Sequence, residues 1–147
     1  MEKRNLGNTG TKVGALGIGA MSFSDFYGPT NTQESHAILK LALDSGVDHI
    51  DTAKVYGMGL SEERIGQFLN TLSPHDRQFF KIATKGGIDR KNFDDKGKVV
   101  FDNSKEFLTE ELDNSLKRLG MECVELYYVH RREADRSIEE VTETLVG

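Results

Sequence analysis

The sequence has one cysteine, no run of basic residues and no apolar stretch long enough to cross a bilayer. Cys123 has no partner for an internal disulfide, so a reducing compartment is expected. It lies beside an apolar stretch and is expected to pack there as an inert side chain. The formal net charge is −5, and without a basic patch nucleic acid is not an expected partner. A membrane span needs about 20 apolar residues, and no segment approaches that. Val13–Met21 follows the Lys3-Arg4 pair but is short and contains Gly14, Gly17 and Gly19. It reads as a strand rather than a signal core, and the expected location is cytoplasmic.

Two common site signatures are also missing. After Gly17 and Gly19, Ser22 stands where a dinucleotide fingerprint needs its third glycine, and no helix is expected to start there. His36, His49 and His75 have no metal-ligand spacing with one another or with Cys123, so no metal site is expected. Arg131, Arg132 and Arg136 share a segment with Glu133 and Asp135, which reads as a solvated charged loop rather than a phosphate site. The chain shows no sequence repeat and no low-complexity segment.

What remains is the composition of an ordinary globular domain. The 147 residues are 37% hydrophobic and 29% charged, enough for one domain with a real core. Gly7-Asn8-Thr9-Gly10 lies between two short segments and predicts an opening hairpin. Ala15–Met21 predicts a small glycine-rich strand, followed by a loop over Ser22–Asn31. A helix is expected over Thr32–Ser45, with Asn31 and Glu34 at capping-box spacing, Gly46 as C-terminal cap, and Ile38, Leu41, Ala42 and Ser45 on one face. Val47–Asp51 reads as the next strand. Ser61 is expected to cap a second helix whose core face is Ile65, Phe68, Leu69 and Leu72. Phe79–Thr84 reads as a third strand running into Lys85, and Ile88–Asn103 as a long loop. Ser104 opens a third helix with Leu108, Leu112, Ser115, Leu116 and Leu119 as its buried stripe. Val124–Val129 is the fourth strand and ends at His130. Ser137 and Glu140 predict a capping box for a fourth helix, with Ile138, Val141 and Leu145 as its apolar stripe. Alternating apolar strands and amphipathic helices predict a parallel α/β sheet.

In such a sheet every strand C-terminus lies on one rim. Asp51, Lys85 and His130 should therefore converge, with Tyr56 in the loop just after Asp51. These four types suit one chemistry. A lysine cation beside a phenol stabilises the phenolate left when the phenol gives up its proton. Asp51 would hold the lysine in place. His130 could hydrogen-bond an oxygen that gains negative charge. A proton donor with an oxyanion binder fits carbonyl reduction, which needs a hydride that no side chain supplies, so a nicotinamide cofactor is implied.

The motifs resemble the N-terminal half of an aldo-keto reductase. They are Leu16-Gly17-Ile18-Gly19-Ala20-Met21, Asp51-Thr52-Ala53-Lys54-Val55-Tyr56-Gly57, Ser61-Glu62-Glu63, Ala83-Thr84-Lys85, Ser115-Leu116-Lys117-Arg118-Leu119-Gly120 and Leu126-Tyr127-Tyr128-Val129-His130. The resemblance implies a parallel (β/α)8 barrel of the TIM type, with the N-terminal hairpin closing its bottom. It implies Tyr56 as general acid, Lys85 and Asp51 as the pair that tunes it, and His130 as the substrate-orienting residue. Ala20, Met21 and Asp51 match positions near the nicotinamide of NADPH, and the loop with Phe23, Phe26 and Tyr27 would help wall the substrate pocket. The implied function is reduction of a small aldehyde or ketone by NADPH, with NADH not distinguished by any residue present. A full barrel of this type takes roughly 250 residues. Residues 1–147 are therefore expected to form a single domain that stops after about four βα units. Self-association, a complementing half-barrel, and a non-catalytic half-barrel fragment or binding module like the channel auxiliary subunits of this family are the corresponding alternatives.

Overall fold

The computed structural model describes residues 1–93 and 95–146. Asp94, inside the expected Ile88–Asn103 loop, and Gly147 lie outside the described residues. The chain opens with an antiparallel hairpin of β1 (Lys3–Asn5) and β2 (Lys12–Gly14). It continues through β3 (Gly17–Gly19), a 3-10 turn over Ala20–Ser24, α1 (Thr32–Ser45) and β4 (His49–Asp51). A second 3-10 turn, Tyr56–Gly59, runs into α2 (Leu60–Leu69), and the short α3 (Pro74–Arg77) precedes β5 (Lys81–Gly86). Then come β6 (Ile88–Phe93), β7 (Val99–Phe101), α4 (Lys105–Leu119), β8 (Leu126–Val129) and α5 (Ile138–Val146).

Strands β3, β4, β5 and β8 form one parallel sheet in that order. With its helices it makes four consecutive βα units, a partial barrel. Parallel neighbours need a crossover connection, and the helices between these strands provide it. The main core lies between sheet and helices. Ile50 and Ile82 from the sheet meet Leu39, Ala42, Ile65, Phe68, Leu69 and Leu119 from α1, α2 and α4, all buried. The β1–β2 hairpin lies at the N-terminal end of the sheet, tied to Asp48 through Lys3 and the Gly14 amide at 2.6 Å.

Most helix signals hold. Asn31 and Glu34 form a reciprocal capping box, and Gly46 caps α1 in the left-handed region. Ser104 caps α4, Gly120 ends it, and Ser137 and Glu140 exchange both capping bonds. Several expectations do not hold. Ile88–Asn103 is not a featureless loop, because β6 and β7 pair as a hairpin within it. The expected first strand is shorter, since Ala20 already turns into 3-10 geometry. Ser61 is not a cap. The Tyr56–Gly59 turn runs straight into α2, and the Ser61 hydroxyl is buried, donating to the Ala20 carbonyl at 2.8 Å. On α1 the buried positions are Ser35, Leu39 and Ala42, whereas Ile38 and Leu41 are exposed. On α5 only Val141 is buried, with Ile138 and Leu145 exposed. Cys123 is exposed rather than packed.

Beneath the rim, α2 and α4 approach closely enough that a Cβ on Gly66 would overlap the Arg118 backbone carbonyl. Neither helix backbone can yield without disturbing the core. Gly66→Ala is expected to cost about 1–3 kcal/mol, lowering the urea midpoint by about 1 M at an ordinary m-value. An unchanged midpoint would contradict this close contact.

Candidate active site

The rim residues come from three strand ends. Asp51 is the last residue of β4 and pairs with Ala83 of β5, so Lys85 emerges two residues further along the neighbouring strand. Their side chains meet in an ion pair, with the Lys85 side chain only 14% exposed. The same ammonium donates to the Thr52 carbonyl at 2.9 Å and to the Tyr56 hydroxyl at 3.5 Å. It also lies 5.2 Å from the centre of the Tyr56 ring. His130 follows β8, and its backbone amide donates to Gly86 at the end of β5 at 2.8 Å. Its ring stands edge-on to Tyr56, 5.8 Å between centroids and 87° between planes. Asp51, Tyr56, Lys85 and His130 thus share one rim.

The tyrosine is placed by a tight loop. Its amide donates to Ala53 at 3.0 Å, and the Lys54 amide donates to the Lys85 carbonyl at 3.2 Å. Gly57 then turns at φ +62°, where a Cβ would come 2.8 Å from Ser24 Cβ. Glycine meets both demands.

Two buried charge pairs hold this arrangement from below. Glu62, fully buried on α2, accepts from Thr84 Oγ1 at 2.6 Å and from Arg118 Nε at 2.7 Å. Glu111 on α4 takes Lys54 Nζ at 2.5 Å with one oxygen and the Gly87 amide at 3.2 Å with the other. Buried Asn103 accepts from the Glu133 amide at 2.8 Å and donates to the Arg131 carbonyl at 3.0 Å, fixing the segment after His130. Loops pinned this way keep buried polar groups satisfied while positioning the rim.

A cavity of about 640 Å³ opens over the rim. Tyr56 and His130 line it, with Met21 and Phe26 from the segment after β3. The β6–β7 hairpin supplies Ile88, Arg90, Val99 and Phe101, none of which was singled out from the sequence. The available signal was Gly97, now seen at φ +72°, followed by the β-prone Val99-Val100-Phe101. Of the three aromatics expected near the cavity, only Phe26 lines it. Phe23 is buried in the core, and Tyr27 is exposed and lines a separate groove. Ala20 is fully buried, so it can offer only backbone to a ligand, whereas Met21 faces the cavity.

His130 has a distinctive environment. Its Nδ1 is buried and has no hydrogen-bond partner among the described residues. Burial, then the Lys85 and Arg131 cations, push the imidazole below its ordinary 6.5, against the opposing pull of Asp51. That direction favours the neutral imidazole at pH 7, which carries a single N–H.

The profile of the Aldo/keto reductase family matches residues 15–147. The chain belongs to the aldo/keto reductase family. It is 35% identical over 138 residues to an NADP(+) aldo-keto reductase of Schizosaccharomyces pombe, covering 94% of this chain and 39% of that protein. It is 33% identical to a probable voltage-gated potassium channel subunit beta of Oryza sativa, covering 99% of this chain and 42% of that one. Its backbone superposes on an aldo-keto reductase of Bacillus halodurans in its holo form with a TM-score of 0.79 and 33% identity, covering 98% of this chain and 45% of that one. Structural neighbours of this kind are (β/α)8 barrels, and the four-stranded parallel sheet here is consistent with a partial barrel. The chain spans about two fifths of the length of the curated relatives it matches.

The lowered His130 value has a definite sign. Between the folded and unfolded values the unfolded chain holds more protons, so stability falls as pH drops through 6.5 and on toward the folded value. An NMR titration should give a His130 midpoint below 6.5. A midpoint at or above the ordinary value would contradict the buried, cation-flanked environment.

Proposed function

We propose that this chain carries the catalytic rim of a carbonyl reductase that takes an aldehyde or ketone to an alcohol. The supporting observation is the single Lys85 ammonium that contacts Asp51, the Thr52 carbonyl and the Tyr56 hydroxyl together. Tyr56 is the general acid. Its proton passes to the carbonyl oxygen, and the phenolate left behind faces the Lys85 cation. Asp51 keeps that cation from swinging away. His130, neutral, donates its one N–H to the same carbonyl oxygen and helps hold the charge that builds there. A neutral imidazole is too weak an acid to compete for the transfer, which leaves that step to Tyr56.

A nicotinamide cofactor, NADPH in this reading with NADH as the alternative, supplies the hydride when bound. The residues present fit its nicotinamide end. Met21 forms an apolar wall beside Tyr56, and a side chain on Gly19 would meet nothing within 4 Å, leaving open space above β3. Ala20, Met21 and Asp51 would flank the ring.

A second reading is a binding module. It draws on the likeness to the channel subunit and on the apolar side chains left exposed on α1 and α5, among them Leu41 and Ile138. A well-folded, monodisperse monomer in light scattering would count against self-association, although not against a different partner.

Tyr56→Phe keeps the ring and removes only the proton donor. It is expected to lower kcat for NADPH-dependent aldehyde reduction by about 10²–10⁴-fold, with the Kd for NADPH by fluorescence titration little changed. Full turnover by this variant would sink the assignment.

A further inference from the structure

The eight arginines of the chain divide into two groups. Six are engaged with protein oxygens. Arg4 meets Glu2, Arg64 the Phe23 and Thr30 carbonyls, Arg77 the Asn70 side chain, and Arg118 Glu62. Arg132 donates to the Glu133 carbonyl, and Arg136 to the Glu133 carboxylate. The other two, Arg90 and Arg131, have no hydrogen-bond or ion-pair partner for their guanidinium groups among the described residues. Both are exposed, and both line the cavity that holds Tyr56 and His130. One stands on β6 and the other follows β8, so only the fold brings them to one cavity.

No described aspartate or glutamate lines that cavity. A chain with net charge −5 therefore presents a locally cationic opening at its candidate site. The charge of Arg131 reaches inward, since it contributes to the depression of His130. A planar guanidinium fork is suited to carboxylate and phosphate oxygens. Two forks at the mouth of a carbonyl site would orient a substrate by its charged end while its carbonyl meets Tyr56.

We propose that the carbonyl substrate of this site carries an oxyanion, a carboxylate or a phosphate, and that Arg90 and Arg131 receive it at the lip of the cavity. The proposal rests on the carbonyl-reductase reading for the fate of the substrate, but not for its binding. The phosphates of a nicotinamide cofactor share the same chemistry. The substrate is favoured because the two arginines line the same cavity as the phenol and imidazole of the reacting end.

The test compares 4-carboxybenzaldehyde with its methyl ester in turnover, and 4-(hydroxymethyl)benzoate with its methyl ester in calorimetric binding. The proteins are the parent, Arg90→Gln, Arg131→Gln and the double variant. The parent should prefer the carboxylates about tenfold or more, and rising salt should shrink that preference because exposed charges are screened. In the double variant the preference should fall to near unity. A parent that binds acid and ester equally, or binds neither, overturns the proposal. So does a double variant that weakens NADPH binding while keeping the carboxylate preference, because the arginines would then serve the cofactor. Selective carboxylate binding without turnover of either aldehyde supports the anion site and sinks the reductase reading instead.

Discussion

The Lys85 ammonium is the point on which the site depends. It is largely buried, and a buried cation is tolerated only when its donors are satisfied. Here Asp51 and the Thr52 carbonyl take two of them, and the Tyr56 hydroxyl lies at the edge of hydrogen-bonding distance of the third. The contact with Asp51 follows from the β4–β5 register, in which Asp51 stands opposite Ala83 and Lys85 lies two residues beyond, on the same face. A slip of one residue would turn the lysine to the other face of the sheet and leave the carboxylate and phenol without it. Register, burial and chemistry are thus a single constraint.

That register is held from the helix side of the sheet. Thr84, next to Lys85, points the other way and bonds Glu62 on α2, which in turn takes Arg118 on α4. Lys54, two residues before Tyr56, reaches Glu111 on the same α4. Helix α4 therefore ties the strand that carries the lysine to the loop that carries the tyrosine. Buried ion pairs of this sort are weak evidence of net stability, but losing one partner leaves an uncompensated charge. Their geometry favours one arrangement of the rim over near alternatives.

The β6–β7 hairpin adds a different kind of constraint. It rises from the end of β5, on the rim rather than in the barrel wall, and gives the cavity both apolar side chains and Arg90. Segments at strand C-termini can vary without disturbing the sheet, so they suit selection among substrates while the rim beneath keeps its chemistry. The cavity accordingly joins residues from five parts of the chain: the segments after β3, β4 and β8, and both strands of the hairpin.

Much of this was legible in the sequence because it depends on local rules. Asn31 with Glu34, Ser104 with Gly120, and Ser137 with Glu140 mark helix ends through bonds made within a few residues. The alternation of strands and helices implied a parallel sheet, and a parallel sheet places strand ends such as Asp51, Lys85 and His130 on one rim. The motifs themselves carried the family. Other features depended on distant partners. Helix α1 has apolar residues around more than one face, and only the position of the sheet decided that Leu39 and Ala42 are buried while Ile38 and Leu41 are not. Ser61 has the side chain of a cap, yet the Ala20 carbonyl, distant in the chain and packed beside it in the fold, claimed its hydroxyl. Arg90 and Arg131 lie 41 positions apart in a chain that gives no local reason to pair them. Periodicity and capping act over one or two turns and are written in neighbouring residues. Which face is covered, and which charges meet, is settled by where a crossover returns the chain, and that is a property of the packed sheet.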